Sequence, residues 1–417
     1  MMNSPVSGLW FACACLVVAG LASLPAASAA GSNAVALRSC AALRDRVDAS
    51  AGGDAVLLRS YDAASGAGEA AENALKTVAF TYDNALAVIA LLGCGHEAEA
   101  ARIGAALQLA VRGDARLRNA YRAGPAGAKV LPNGWWDAAQ VRWAEDPYQA
   151  GSATGNVAWV ALALLALHDV SGDRRWLQAA ETLARWVVST TGDARSDGFS
   201  GGVQGFDAKA QALGWKSTEH NIDLVAMFAW LDALSPGKWH EDEQRARRFV
   251  DAQWDAASGH FLVGTLPDGK TFNRTTSALD VQLWAQLLPG AKPEWRKAVA
   301  YVELAHAVAG GFDFNGDRDG LWLEGTAQAA LVYRQLGRDR DADALLATIA
   351  GQFATGGYVY ATREPRISTG LALGSASTTA DFYYYRQPHL GATAWAALAA
   401  TGRNPFVAPQ ARKTRRP

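Results

Sequence analysis

Thr154-Gly-Asn-Val-Ala-Trp-Val-Ala-Leu-Ala-Leu-Leu165 carries no charge and, wound as a helix, is apolar on nearly every side. Ala and Leu are strong helix formers, so helix is favoured over strand, and a helix apolar all round must be buried all round. The stretch has five counterparts, opening at Thr81-Tyr-Asp-Asn-Ala, Thr218-Glu-His-Asn-Ile-Asp223, Leu279-Asp-Val-Gln-Leu-Trp284, Leu323-Glu-Gly-Thr-Ala-Gln328 and Leu390-Gly-Ala-Thr-Ala-Trp395. A segment of another kind follows each of the first five. In 173–188, Trp176, Leu177, Ala180, Leu183, Ala184 and Val187 form one stripe, while Arg174, Arg175, Glu181 and Arg185 fall outside it. That is a surface helix with one buried face. Similar segments occupy 97–111, 241–254, 294–308 and 339–352. The sixth partner is 35–56, ahead of the first buried helix and placed to close a ring against the last. The pattern predicts an all-α protein, an (α/α)6 toroid of six helical hairpins. An open helical stack is the alternative, and the N-terminal helix that supplies the missing partner argues for closure.

Residues 1–29 read as a secretory leader: a short polar start, an apolar run over 9–23, and the small-x-small pattern Ala27-Ser28-Ala29. Cleavage near Ala29 predicts a secreted or periplasmic protein. The apolar run is too short to span a bilayer comfortably. The toroid then covers 30–408, and the basic stretch 409–417 reads as a disordered tail. A formal net charge of −1 and a pI near 6.7 give no field for attracting nucleic acid or anionic lipid. Those partners are excluded, and a monomer is expected. Cys13 and Cys15 fall in the leader. Cys40 and Cys94 remain, either paired in an oxidising compartment or as two buried thiols. The chain shows no phosphate loop, Gly-x-Gly-x-x-Gly or nucleophile elbow, which removes nucleotide enzymes and serine hydrolases.

If the buried helices run parallel, their N-terminal ends and dipoles converge on one mouth of the ring. Three long connections, 113–152, 192–217 and 356–389, enter the same mouth and are rich in Trp, Tyr and Gly. Sugars present flat C–H faces rimmed by hydroxyls, so their sites combine aromatic platforms with carboxylates and amides. The helix starts offer Asp83, Glu219, Asp280 and Glu324 as candidate catalytic acids. Tyr82, Asn84, Trp135, Trp136, Asn156, His220, Asn221, Asp223, Trp284, Tyr384, Arg386 and His389 are candidate sugar-binding groups. Each acid also has a plain reading as a helix cap or dipole partner. Asp223 is harder to dismiss, because a carboxylate inside an all-round apolar helix must be satisfied or line a wet cavity. No cofactor is expected, and no His pair has zinc-binding spacing. Asp313, Asn315, Asp317, Asp319 and Glu324 fall at the alternating and twelfth positions of a calcium loop, but Arg318 stands where the sixth-position glycine is needed.

The segments Thr81-Tyr-Asp-Asn-Ala85, Ser217-Thr-Glu-His-Asn-Ile-Asp223, Glu324-Gly-Thr-Ala-Gln328, His389-Leu-Gly-Ala-Thr-Ala-Trp395 and Gly402-Arg-Asn-Pro-Phe406 resemble the six-hairpin glycosidase superfamily, in particular exported bacterial members. The resemblance implies the (α/α)6 fold, a carbohydrate ligand at the loop-bearing mouth and paired acids there. The expected mechanism is hydrolysis with Glu219 as general acid and Asp83 as base, Asp280 and Glu324 being rivals for either role. A polysaccharide lyase using Tyr82, Asn84, His220, Asn221 and Arg386, or a non-catalytic glycan-binding protein, is the alternative.

Overall fold

The computed structural model describes residues 24–52, 55–62, 72–113, 116–193, 195–372, 379 and 382–408, with side chains from residue 31 onward. Among them the helices are α1 Leu24–Asp48, α2 Thr81–Cys94, α3 Glu97–Gly113, α4 Pro147–Ala150, α5 Thr154–Ser171, α6 Arg174–Thr191, α7 Thr218–Leu234, α8 His240–Ala252, α9 Leu279–Leu287, α10 Lys297–Ala305, α11 Leu323–Gln335, α12 Asp339–Ala350 and α13 Leu390–Thr401. The six apolar segments are inner helices α2, α5, α7, α9, α11 and α13, each packed on the next, and α13 packs back on α2. Helices α3, α6, α8, α10 and α12 form the outer layer, and α1 completes it by packing on α12 and α13. This is the expected (α/α)6 toroid. The inner helices are buried along nearly their whole length, whereas α6 buries Trp176, Ala180, Leu183, Ala184 and Val187 and exposes the opposite face.

A ring of backbone hydrogen bonds records the closure. The first amide of each inner helix donates to a carbonyl in the connection that leads to the next one: Thr81 to Asn119 at 2.9 Å, Thr154 to Gly201 at 3.1 Å and Thr218 to Val263 at 3.0 Å. Leu279 to Phe314 at 2.9 Å and Leu323 to Ala361 at 3.0 Å continue the series, and Leu390 to Ser60 at 2.9 Å closes it. Helix starts leave such amides without a partner inside the helix, and here each one ties two repeats together.

The fourth residue of five inner helices makes a second tie. Asn84 accepts from the Leu58 amide and donates to the Leu58 carbonyl; Asn221 does the same with Phe199, and Gln282 with Phe261. Thr326 and Thr393 accept from the Phe312 and Val359 amides. These side chains pair backbone in the connection that precedes each of these five helices. Each such bond contributes about 1 kcal/mol net, and a larger penalty follows if the backbone groups are left buried and unpaired.

The structure revises several expectations. The closing helix runs over Leu24–Asp48 rather than 35–56, because Gly52, at a φ of +83°, breaks the chain before Val56–Leu57 pairs with Gly124–Pro125 as a short strand. The leader up to residue 23 and the tail 409–417 lie outside the described residues; 24–29 belong to the first turns of α1. The three long connections are not structureless. They carry small antiparallel sheets, including Trp135–Asp137 with Arg142–Ala144 and Arg366–Ser368 with Tyr383–Tyr385. Cys40 of α1 and Cys94 at the end of α2 form a disulfide, with their Cα atoms 5.8 Å apart. Among the described residues one helix, α5, is long and apolar enough to cross a membrane, and it is an inner helix of the ring.

Candidate active site

At the N-terminal mouth lies a cavity of about 820 Å³ lined by five inner helices and the N-cap of the sixth. Tyr82 and Asp83 come from α2, Asn156 from α5, Glu219 and His220 from α7, Asp280 and Trp284 from α9, and Glu324 from α11; His389, the N-cap of α13, completes the set. Three carboxyls share one helical position. Glu219, Asp280 and Glu324 are each the second residue of the consecutive helices α7, α9 and α11. The same position in the other three helices holds Gly391, Tyr82 and Gly155. The two glycines make room: a Cβ on Gly391 would come within 2.8 Å of the Asp83 and Glu324 carboxyl oxygens, and one on Gly155 within 2.5 Å of the His220 ring.

The protonation pattern follows from burial and crowding. Burial, then the neighbouring Asp280 and Glu324, hold the Glu219 carboxyl well above the usual carboxylate range. Burial lifts Asp280 to about 6, opposed by the Val281 amide, which donates to Asp280 Oδ1 at 2.7 Å, and by its own amide. Glu324 is lifted to about 7 by burial, with His389 and the Tyr82 hydroxyl pulling down and Asp83 and Asp280 pushing up. Tyr82 Oη donates to Glu324 Oε1 at 2.6 Å and accepts from Trp395 Nε1 at 3.0 Å, which fixes the Glu324 rotamer. His389 sits between two acids, Nε2 at 3.4 Å from Asp83 Oδ2 and Nδ1 at 3.6 Å from Glu324 Oε2. Burial disfavours its charge, but the two carboxylates outweigh burial and raise its affinity for a proton. Burial drives His220 the other way, down to about 4, so it is a neutral imidazole at pH 7.

The floor is aromatic. Trp284 stacks on Trp395 at 5.7 Å, Trp159 meets both edge-on at 5.2 and 5.9 Å, and Phe406 seals the stack from the C-terminal side, 5.2 Å from Trp159. Trp284 lines the cavity, and the other three rings pack against it. Its upper wall is formed by Tyr61, Tyr148, Trp215 and Tyr383 to Tyr385. Such faces can stack on sugar rings while the carboxyls bond hydroxyls.

Of the residues expected from the sequence, Tyr82, Asp83, Asn156, Glu219, His220, Asp280, Trp284, Glu324, Tyr384 and His389 line this one cavity. Others are placed elsewhere. Asn84 and Asn221 are spent on backbone ties. Asp223 is fully buried behind His220, and burial together with Glu219 and Asp280 keeps its carboxyl well above the usual range. Trp135 and Trp136 sit on a hairpin outside the cavity wall, Trp136 being 59% exposed. Arg386 lies 4.0 Å over the Tyr360 ring and donates to the Arg363 carbonyl. Asp313, Asp317 and Asp319 do cluster, with carboxylate oxygens within 4.8 Å of one another. Glu324 is not among them; it lines the cavity.

Sequence reasoning overlooked Tyr61, Tyr148, Gln149 and Trp215. A signal existed for the last: Gly201, in the glycine-rich stretch 198–202, packs against the Trp215 ring, where a Cβ would come within 2.5 Å.

No family model and no curated protein matches the chain. Solved structures do. A glycosidase variant in complex with glucose superposes with a TM-score of 0.60 at 14% identity, over 92% of this chain and 99% of that one. Cellobiose 2-epimerase from Spirochaeta thermophila gives 0.61 at 13% identity, over 91% and 98%. The GH76 alpha-mannanase of Bacteroides thetaiotaomicron gives 0.51 at 11% identity, over 78% and 87%. The fold is thus the six-hairpin (α/α)6 toroid found in these carbohydrate-active proteins.

Proposed function

We propose that this six-hairpin toroid is a glycoside hydrolase acting on a poly- or oligosaccharide, with Glu219 as general acid and Asp280 as the carboxylate that activates water or attacks the sugar. The observation that carries this reading is the meeting of Glu219, Asp280 and Glu324, from the same position of three adjacent helices, over an aromatic floor. Glycosidic hydrolysis needs one acid protonated and one ionised at the same pH. Glu219 keeps its proton through burial and its two acidic neighbours. Asp280, at about 6 and held by backbone amides, is mostly ionised at pH 7. Asp83, the base expected from the sequence, gives way because its carboxylate faces His389 and is not among the charges acting on Glu219. Glu324, fixed by Tyr82, orients sugar hydroxyls. Export belongs to the same proposal, supported by the Cys40–Cys94 bond, a type kept mainly in oxidising compartments.

The test is a panel of glycans incubated with purified protein and assayed for new reducing ends. Turnover by the wild type that disappears in Glu219→Gln, with glycan binding retained, supports the assignment; undiminished turnover in that variant overturns it. Mass measurement of the secreted chain should place its N-terminus at Ala30.

A second reading is sugar 2-epimerisation, favoured by His220 and His389 both lining the cavity. One imidazole would take the proton beside the carbonyl of an opened sugar and the other would return one to the opposite face. Solvent deuterium entering that carbon, without new reducing ends, distinguishes it from hydrolysis.

A further inference from the structure

The wall of the cavity is one-sided in charge. Glu72, Asp83, Asp146, Glu219, Asp280 and Glu324 all line it, and Lys216 is the one Lys or Arg among the described lining residues. That ammonium is directed elsewhere: Lys216 Nζ donates to Ser196 Oγ at 2.8 Å and to the Asp197 carbonyl, and lies 5.7 Å from the Phe249 ring. Arg366 stacks over Tyr383 at 4.7 Å and Arg386 over Tyr360 at 4.0 Å, and neither lines the cavity. The remaining chargeable base, His389, is flanked by Asp83 and Glu324, so any charge it carries is already matched. Asp83 Oδ2 faces His389 Nε2 at 3.4 Å and Glu324 Oε2 faces His389 Nδ1 at 3.6 Å, and both carboxyls are buried.

From this we infer that the cavity admits saccharides that are uncharged or carry a free amine, and refuses those bearing carboxylate, sulfate or phosphate. The inference rests on the carbohydrate reading above and narrows it. Sugar hydroxyls and ammonium groups are donors and can bond carboxyls that line the cavity. An anionic substituent would be desolvated among acids with no cation to receive it, and would push the acids it meets toward their neutral forms. Recognition of an anionic sugar normally places Arg or Lys against it, often in bidentate geometry. The same argument removes the lyase alternative, whose uronate substrate needs its carboxylate neutralised.

The experiment is calorimetric titration of the Glu219→Gln variant with four β-1,4-linked tetrasaccharides of one backbone: glucose, glucosamine, N-acetylglucosamine and glucuronic acid, repeated with α-linked glucose and galacturonic acid sets. A reducing-end assay of the wild type runs on the same compounds. The glucuronic and galacturonic compounds should bind at least roughly 100-fold more weakly than the neutral ones, and the glucosamine compound at least as tightly as glucose. Gln211→Lys, which puts an ammonium on the cavity lip, should recover uronate binding about 10-fold. Uronates bound as tightly as neutral sugars by the unmodified cavity would overturn the charge inference while leaving hydrolysis standing. Charge selectivity without cleavage of any compound would remove hydrolysis and leave the inference intact. Failure of every sugar to bind would end both.

Discussion

The two ends of the ring are made by the same six helices and are built to opposite rules. At the N-terminal end the first turns present acids: Asp83 and Glu324 crowd on His389, and the Asp223 carboxyl lies buried without a hydrogen-bond partner among the described residues. At the C-terminal end three inner helices stop at glycines in the left-handed conformation, Gly95, Gly172 and Gly402, whose amides satisfy the last carbonyls. Phe406 fills the bore there, Asn404 donates to the Leu287 carbonyl at 2.7 Å, and the disulfide ties Cys94 to α1. One end holds the molecule together; the other keeps charged groups poorly satisfied, a condition natural proteins tolerate where chemistry requires it.

Substitutions can break this contrast at either end. The largest effect belongs to the open end: Glu219→Gln should lower kcat by about 100- to 10,000-fold, the usual contribution of a positioned acid, without lowering the thermal midpoint. Next comes the staple. Replacing Cys40 and Cys94 with Ser should remove about 4 kcal/mol on the chain-entropy account of a loop this long, seen in denaturant titration, with kcat at 25 °C preserved. Phe406→Ala should remove about 3 kcal/mol by opening a cavity beneath the tryptophans. A melt unchanged by that substitution contradicts the view of Phe406 as a plug. Gln282→Leu should cost about 2 kcal/mol, because it strands the buried Phe261 amide and carbonyl.

The smallest effects lie in pH dependence. The kcat/KM profile should rise through about pH 6 as Asp280 ionises and fall at higher pH as Glu219 releases its proton. The sign for stability is opposite to that of a salt-bridged acid. A carboxyl raised in the folded state favours folding below its ordinary value and loses that contribution as pH climbs toward the folded one. Glu219→Gln should therefore be more stable than wild type at pH 8, by about 1 kcal/mol, and equal to it near pH 4.

The ring was legible because burial on all sides leaves a plain mark, uninterrupted Ala and Leu, and because the starts of the six inner helices coincide with the starts of those runs. The acids were legible as charges placed where such helices begin. What each polar residue does there was not. Asn84 and Asn221 look like Asn156 in sequence, yet the first two bond the backbone of Leu58 and Phe199 while Asn156 reaches Asn119 and the cavity. One step along a helix start turns a side chain by about 100°, which separates the wall of a pocket from the body of the ring. The exposed indoles of 135–144 misled for a related reason, since composition gives no direction for a hairpin.

The seam of the molecule joins its beginning to its end. Leu390 bonds Ser60, and α1 lies against α12 and α13. A growing chain can form hairpins as they emerge, but the circle stays open until its final helix arrives, and every partial arc exposes two apolar edges. Helix α13 thus acts as a clasp, and a chain cut short before Leu390 should survive as a sticky crescent rather than as a closed ring.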